Sequence, residues 1–127
     1  MKNLYVNIDP ELVYFPVIDF NSTTGVCEIL GESYMEETYK FYEPVIEWLQ
    51  DYTLEKNPIV LNIKLTYFNT STSRFLLKML DVLKKYIEHG GSAQINWYYK
   101  EDDPDILTEI NDFMDDSGVT INVFIFD

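Results

Sequence analysis

The run Asn69-Thr70-Ser71-Thr72-Ser73-Arg74 sets four consecutive hydroxyls between an amide and a cation. A hydroxyl can accept a phosphoryl group, and a guanidinium can pair with it afterwards. The run lies where two periodicities meet. Upstream, Ile59 to Phe68 alternates like a half-buried strand, with Leu61, Ile63, Leu65 and Tyr67 on one face. Downstream, Phe75, Leu76, Met79, Leu80, Leu83, Tyr86 and Ile87 recur at helical spacing. The hydroxyls therefore fall at a helix N-terminus, where unpaired N–H groups and the positive end of the dipole favour an added phosphate. Ser, Thr and Asn are also the ordinary N-cap residues, and the local pattern alone favours capping.

Other chemistry finds less support. The five glycines are scattered at Gly25, Gly31, Gly90, Gly91 and Gly118, so no phosphate-cradling loop is formed. His89 is the lone histidine and suits a helix C-terminus. The acidic run Glu101-Asp102-Asp103-Pro104-Asp105 lacks the spacing and central glycine of a calcium loop and reads as a solvated helix start. Cys27, the only cysteine, sits in a strand-like run and reads as a small buried side chain. Two Asn-x-Ser/Thr matches, at Asn21 and Asn69, carry no meaning in a cytoplasmic protein. No base or metal set lies near the hydroxyls, so the chain is read as non-enzymatic, with no cofactor and no metal site. The alternative to covalent modification is a small-molecule or anion sensor with a pocket at the same helix N-terminus.

With 127 residues, 46% of them hydrophobic and 16% aromatic, the chain has the size and content of one folded domain, residues 1–127. The formal charge of −13 comes from 22 acidic against 9 basic residues. Nucleic-acid and anionic-membrane binding rest on cations, so neither is expected. A protein partner with a basic patch fits better. One cysteine, the lack of a charged-then-apolar leader, and the lack of a long apolar run all point to the cytoplasm.

The elements that would position the hydroxyls follow in order. The first eight residues form a short strand or a loose arm, ended by Asp9-Pro10. Leu12 to Phe20 reads as a strand with Pro16 at an edge or bulge, and a turn over Asn21–Gly25 leads into a second arm, Val26 to Leu30. Gly31 then opens a helix with Ser33 and Glu36 as a capping box and a stripe of Tyr42, Val45, Ile46, Leu49 and Tyr52. Pro44 falls inside it; the stripe stays in phase across the proline, favouring one kinked helix over two pieces. After the strand ending at Phe68, the second helix runs to Gly90-Gly91 with Lys84, Lys85 and His89 in its last turns. Ala93 to Tyr99 is a strand, with Ile95, Trp97 and Tyr99 on one side. Asp103-Pro104 caps a helix carrying Ile106, Leu107, Ile110, Phe113 and Met114, and Val119 to Phe126 is the last strand. This order predicts an α/β fold, an N-terminal β-hairpin followed by alternating helices and strands in one mixed sheet.

Three sets of residues carry a resemblance over nearly the whole chain. They are Gly31-Glu32-Ser33-Tyr34 with Phe41-Tyr42-Glu43-Pro44 and Trp48-Leu49; Tyr67-Phe68-Asn69-Thr70-Ser71; and Asn96-Trp97-Tyr98-Tyr99. Together they resemble the SiaC family of regulatory phosphoproteins, although Met35 stands where a proline is expected and Thr72 where a serine is common. The resemblance implies a STAS-like fold, similar to anti-sigma factor antagonists, and a partner switch. The threonine of the Asn-Thr-Ser motif, here Thr70, would be the phosphoacceptor. Asn69, Ser71, Thr72, Ser73 and Arg74 would be its surroundings and the recognition surface. The implied partners are a protein kinase of the anti-sigma-factor type, a PP2C-type phosphatase and, in some members, a diguanylate cyclase bound by the unmodified form. On this ground phosphorylation displaces simple capping as the favoured reading.

Overall fold

The computed structural model describes residues 1–9 and 11–126. Its elements are β1 Leu4–Val6, β2 Val17–Phe20, β3 Val26–Ser33, α1 Thr38–Leu54, β4 Ile59–Phe68, α2 Thr70–Glu88, β5 Ala93–Tyr99, α3 Asp105–Ser117 and β6 Asn122–Ile125. The six strands form one sheet in the order β1-β2-β3-β4-β5-β6. The first two pairings are antiparallel and the remaining three parallel, giving the mixed α/β sheet expected. The first eight residues supply a strand, so a three-strand meander replaces the simple hairpin. The expected stop at Asp9-Pro10 includes Pro10, which lies outside the described residues.

Each parallel connection runs through one helix. With right-handed crossovers and a sequential strand order, all three helices lie on one face. That face is the core: Ile18, Phe20, Cys27, Ile29, Leu61, Ile63, Leu65, Ile95 and Trp97 are buried beneath Tyr42, Val45, Leu49, Leu76, Met79, Leu83 and Ile110. The other face carries a polar row across its middle. In register across five strands stand Asp19, Glu28, Asn62, Asn96 and Asn122. The Asn96 amide donates to Asn62 at 2.9 Å and accepts from Asn122 at 3.1 Å. Lys64 bridges to Glu28 at 3.2 Å and lies over the Tyr98 ring.

Several expected boundaries move, each for a local reason. β2 starts at Val17 rather than Leu12, because Leu12 and Phe15 turn back to the carbonyls of Asp9 and Leu12 and Pro16 has no N–H to give a ladder. β6 is confined to Asn122–Ile125 rather than running from Val119 to Phe126. α3 begins at Asp105 with Pro104 as its cap, one residue later than predicted. α1 runs unbroken through Pro44, but it begins at Thr38, and Glu37 caps it without a side-chain bond. Gly31 and Ser33, assigned to the helix start, belong to β3 instead. The capping box is therefore absent, and the Ser33 hydroxyl is spent elsewhere.

The largest correction concerns Tyr67. β3 and β4 pair in step until Gly31–Leu65, after which Glu32 pairs with Tyr67 and Ser33 with Phe68. β4 thus carries one extra residue, a bulge that breaks the two-residue alternation. Tyr67, expected on the core face with Leu61, Ile63 and Leu65, is turned out and 53% exposed. Phe68 is turned in, against Trp97 and Phe113. The periodicity of β4 could not show this, since a bulge leaves no mark in composition.

Candidate functional site

At the C-terminal end of β4 the chain enters α2 directly. Asn69 has extended backbone angles (φ −92°, ψ 176°), and its side-chain oxygen accepts from the Thr72 N–H at 2.9 Å. Its carbonyl receives the Ser73 N–H at 3.1 Å, and its own N–H donates to the Ser33 carbonyl at 3.1 Å. Asn69 is therefore the cap, and it fastens the helix start to β3.

The four hydroxyls then divide. Thr72 is fully buried: its hydroxyl donates to the Ser33 carbonyl at 2.9 Å and lies 2.8 Å from Ser33 Oγ. Ser33 Oγ is in turn 2.7 Å from the Tyr42 hydroxyl. One assignment satisfies every donor: Thr72 gives to the carbonyl, Ser33 to Thr72, and Tyr42 to Ser33. Burial pushes the Tyr42 phenol well above its ordinary value, with the bond to Ser33 opposing weakly, so it stays neutral. Ser73 Oγ turns back to the Asn69 carbonyl at 3.3 Å. Thr70 and Ser71 are exposed, and among the described residues neither hydroxyl has a hydrogen-bond partner.

Thr72 thus belongs to the interior and not to a recognition surface, which corrects its expected place. A hydroxyl on the inward side of the first helical turn has only the strand end to bond, and Ser33 is there. Arg74, one turn beyond Thr70 on the same helix face, is exposed and has no ion pair among the described residues. α2 has no acidic residue in its first turn to oppose an added anion. At its far end His89 caps as expected, with Nδ1 2.7 Å from the Lys85 carbonyl.

Beside the helix start lies a chain of rings. Tyr67 meets Tyr34 edge-on at 5.2 Å, and Tyr34 meets Tyr14 at 5.9 Å. Tyr14 and Phe15 lead on to Phe41, Tyr42 and Phe75. A groove of about 760 Å³ opens here between Ile8, Tyr14 and Phe15 on one side and the start of α1 on the other. A second crevice, about 620 Å³, lies at the opposite pole between the ends of α1 and α2. Neither is lined by Asn69, Thr70 or Ser71.

Elsewhere, Cys27 is buried and its thiol is pushed up by burial first and Asp19 second, which keeps it unreactive. Among the described residues no three His, Cys, Asp or Glu side chains gather as metal ligands would. Nor is any described helix long and apolar enough to cross a membrane.

Local pattern does not mark Ser33, Tyr34 or Tyr42 as part of the site, although all three lie in the segments that carry the family resemblance. Those segments converge in the fold: Ser33 holds Thr72, Tyr42 holds Ser33, and Tyr34 touches Tyr67.

Known proteins resemble this chain in sequence and in fold. An uncharacterised protein of Pseudomonas aeruginosa (strain UCBPP-PA14) is 26% identical over 102 residues, covering 80% of this chain and 81% of its own. Apo-SiaC from Pseudomonas aeruginosa superposes with a TM-score of 0.88 at 23% identity, covering 98% of this chain and 99% of that one. A chain of the complex between the diguanylate cyclase SiaD and its activator SiaC, from the same species, superposes with a TM-score of 0.89 at 22% identity. That match covers 97% of this chain and 99% of the other. These structures share the fold of three helices on a six-strand mixed sheet. The sequence model of the SiaC family regulatory phosphoproteins matches residues 10–126, and the chain belongs to that family.

Proposed function

We propose that this chain is a non-enzymatic partner switch of the cytoplasm, phosphorylated reversibly on Thr70 and binding its downstream partner when unmodified. The observation that carries the proposal is the division of the hydroxyls. Thr72 and Ser73 are engaged by the fold, Thr70 and Ser71 are free, and Thr70 is the threonine of the Asn-Thr-Ser motif.

In the forward step, a kinase of the anti-sigma-factor type removes the Thr70 proton as its oxygen bonds to the γ-phosphorus of ATP, and ADP leaves. A PP2C-type phosphatase returns the hydroxyl by hydrolysis, releasing inorganic phosphate. The phosphate adds about −1.5 to −2 charges, stabilised by the helix dipole by roughly 0.3–1 kcal/mol if exposed. Arg74 is placed to pair with it, one turn along. Asn69 and Ser71 shape the helix start that both enzymes must read. The downstream partner is a diguanylate cyclase, by analogy with the SiaD complex of Pseudomonas SiaC.

The test is intact-mass analysis after incubation with the kinase from the same genome and ATP, followed by calorimetric titration against the cyclase. The expected result is one phosphoryl group, absent from Thr70→Ala, and weaker binding once it is attached. Protein confirmed as phosphorylated on Thr70 that binds as tightly as untreated protein would end the proposal.

A further inference from the structure

The β4 bulge turns Phe68 inward against Trp97 and Phe113 and takes Tyr67 off the core face, leaving it 53% exposed. Its effect is to set Tyr67 against Tyr34, itself 37% exposed, and so to extend an aromatic surface from the α2 start to the groove. The groove floor is apolar, made by Ile8, Tyr14, Phe15, Tyr34, Met35 and Phe41. Glu36, Glu37 and Lys40 also line it. Lys40 is held by Glu37 at 3.0 Å, which leaves Glu36 without a cationic partner among the described residues.

We propose that this groove receives an amphipathic segment of the downstream partner, with apolar side chains on Tyr14, Tyr34 and Phe41 and basic side chains against Glu36 and Glu37. The inference rests on the partner switch argued above and names the surface and the chemistry of the segment that docks. The apolar lining, the exposed rings and the unpaired acid argue for that occupant. Exposed tyrosines offer large contact area at little entropic cost and are enriched among residues that dominate binding. An amphipathic helix laid into an apolar groove is a standard recognition mode and needs a floor of this kind. The groove's unpaired acid and the chain's −13 charge select a basic rather than an acidic segment.

The placement also explains how modification could release a basic partner. Tyr67 lies three residues before Thr70, at the same junction of β4 with α2, so a phosphate on Thr70 is added at the end of β4 that carries the exposed ring. Apolar groups covering Tyr34 and Tyr67 would have to strip water from that phosphate, a desolvation cost that its attraction to more distant cations does not offset.

The probe is a fluorescein-labelled amphipathic peptide of about 18 residues, long enough for four or more helical turns, with Leu and Phe on one face and Lys on the other. A twin carries Glu for every Lys. Anisotropy should show saturable binding of the Lys peptide and much weaker binding of the twin. Tyr34→Ala and the double variant Glu36→Lys/Glu37→Lys should each weaken binding about ten-fold, the size of one dominant contact. Glu47→Lys and Asp51→Lys, farther along α1, should leave it within about two-fold, as rim charges usually do. All these positions are surface positions, and circular dichroism confirms folding. Equal binding of both peptides overturns the proposal, as does indifference to Tyr34→Ala. So does an equal loss with the distant charge reversals, which would mark general attraction. Thr70 phosphorylation is read separately by mass, so a failed groove leaves the switch standing, and a failed switch leaves the groove variants to decide the groove.

Discussion

The hydroxyls of Thr72 and Ser33 lie 2.8 Å apart inside the protein, 39 residues apart in sequence. Through them the first turn of α2 is tied to the end of β3, and through Tyr42 to α1. The turn that presents Thr70 is therefore braced from beneath by groups that no modifying enzyme can reach.

Thr72→Val should destabilise the fold. It leaves the buried Ser33 hydroxyl proton without its acceptor and the Ser33 carbonyl with the Asn69 N–H alone, at a cost of about 1–3 kcal/mol. Ser33→Ala should cost a similar amount, and the double variant less than the two losses together, because both break one network. Urea denaturation of the three variants measures this. Strict additivity would mean that the hydroxyls do not act together.

Asn69 and Thr70 should separate stability from modification. Asn69→Ala removes the oxygen that caps the Thr72 N–H and should cost about 0.5–2 kcal/mol. Thr70→Ala should change stability by no more than about 0.5 kcal/mol, since Thr70 makes no side-chain bond, yet abolish phosphorylation. Thr70→Asp should weaken partner binding only in part, because one carboxylate copies neither the charge nor the three oxygens of a phosphate. Thermal melts and intact mass read the two effects. A large stability loss on Thr70→Ala would remove it from the role of free acceptor.

Pro44 is exposed within α1 and offers no N–H to the carbonyl one turn back. Pro44→Ala should stabilise α1 by about 1 kcal/mol, within the ~3 kcal/mol propensity difference between the two residues. Phosphorylation of Thr70 should be unaffected. Loss of phosphorylation in the folded variant would assign α1 to the kinase-binding surface.

Stability should fall in alkali. Cys27 and Tyr42 both hold their protons more tightly folded than unfolded, mainly through burial. The folded state therefore binds more protons once pH passes the ordinary thiol value of about 8.5, and then the phenol value of about 10. The contribution of each group is complete below those values and declines by about 1.4 kcal/mol per pH unit above them. Cys27→Ala should move the onset up toward the phenol range. Denaturation midpoints that stay flat from about pH 8 to 10 in the native sequence would contradict this.

Fold class was legible because the strand–helix alternation, the helix ends at Gly90 and Gly118, and the cap at Asn69 are written in local chemistry. The hydroxyl run was legible as a helix start for the same reason. What stayed hidden depends on distant partners. Ser33 reads as a cap until Thr72 and Tyr42 are brought to it. Tyr67 reads as core until an extra residue in β4 changes its side. Of four hydroxyls in a row, which are free is decided by the strand end that lies beneath them, and spacing alone cannot report that.

Strand order along the sheet repeats strand order along the chain, and no strand is inserted between two already placed. During synthesis, each new strand–helix unit can therefore add to an edge that already exists, closing a short loop each time. Every residue that fixes the candidate acceptor turn, from Ser33 through Tyr42 and Asn69 to Phe75, emerges from the ribosome before β5 does. The turn can take shape on a nascent chain, with α3 and β6 still to come.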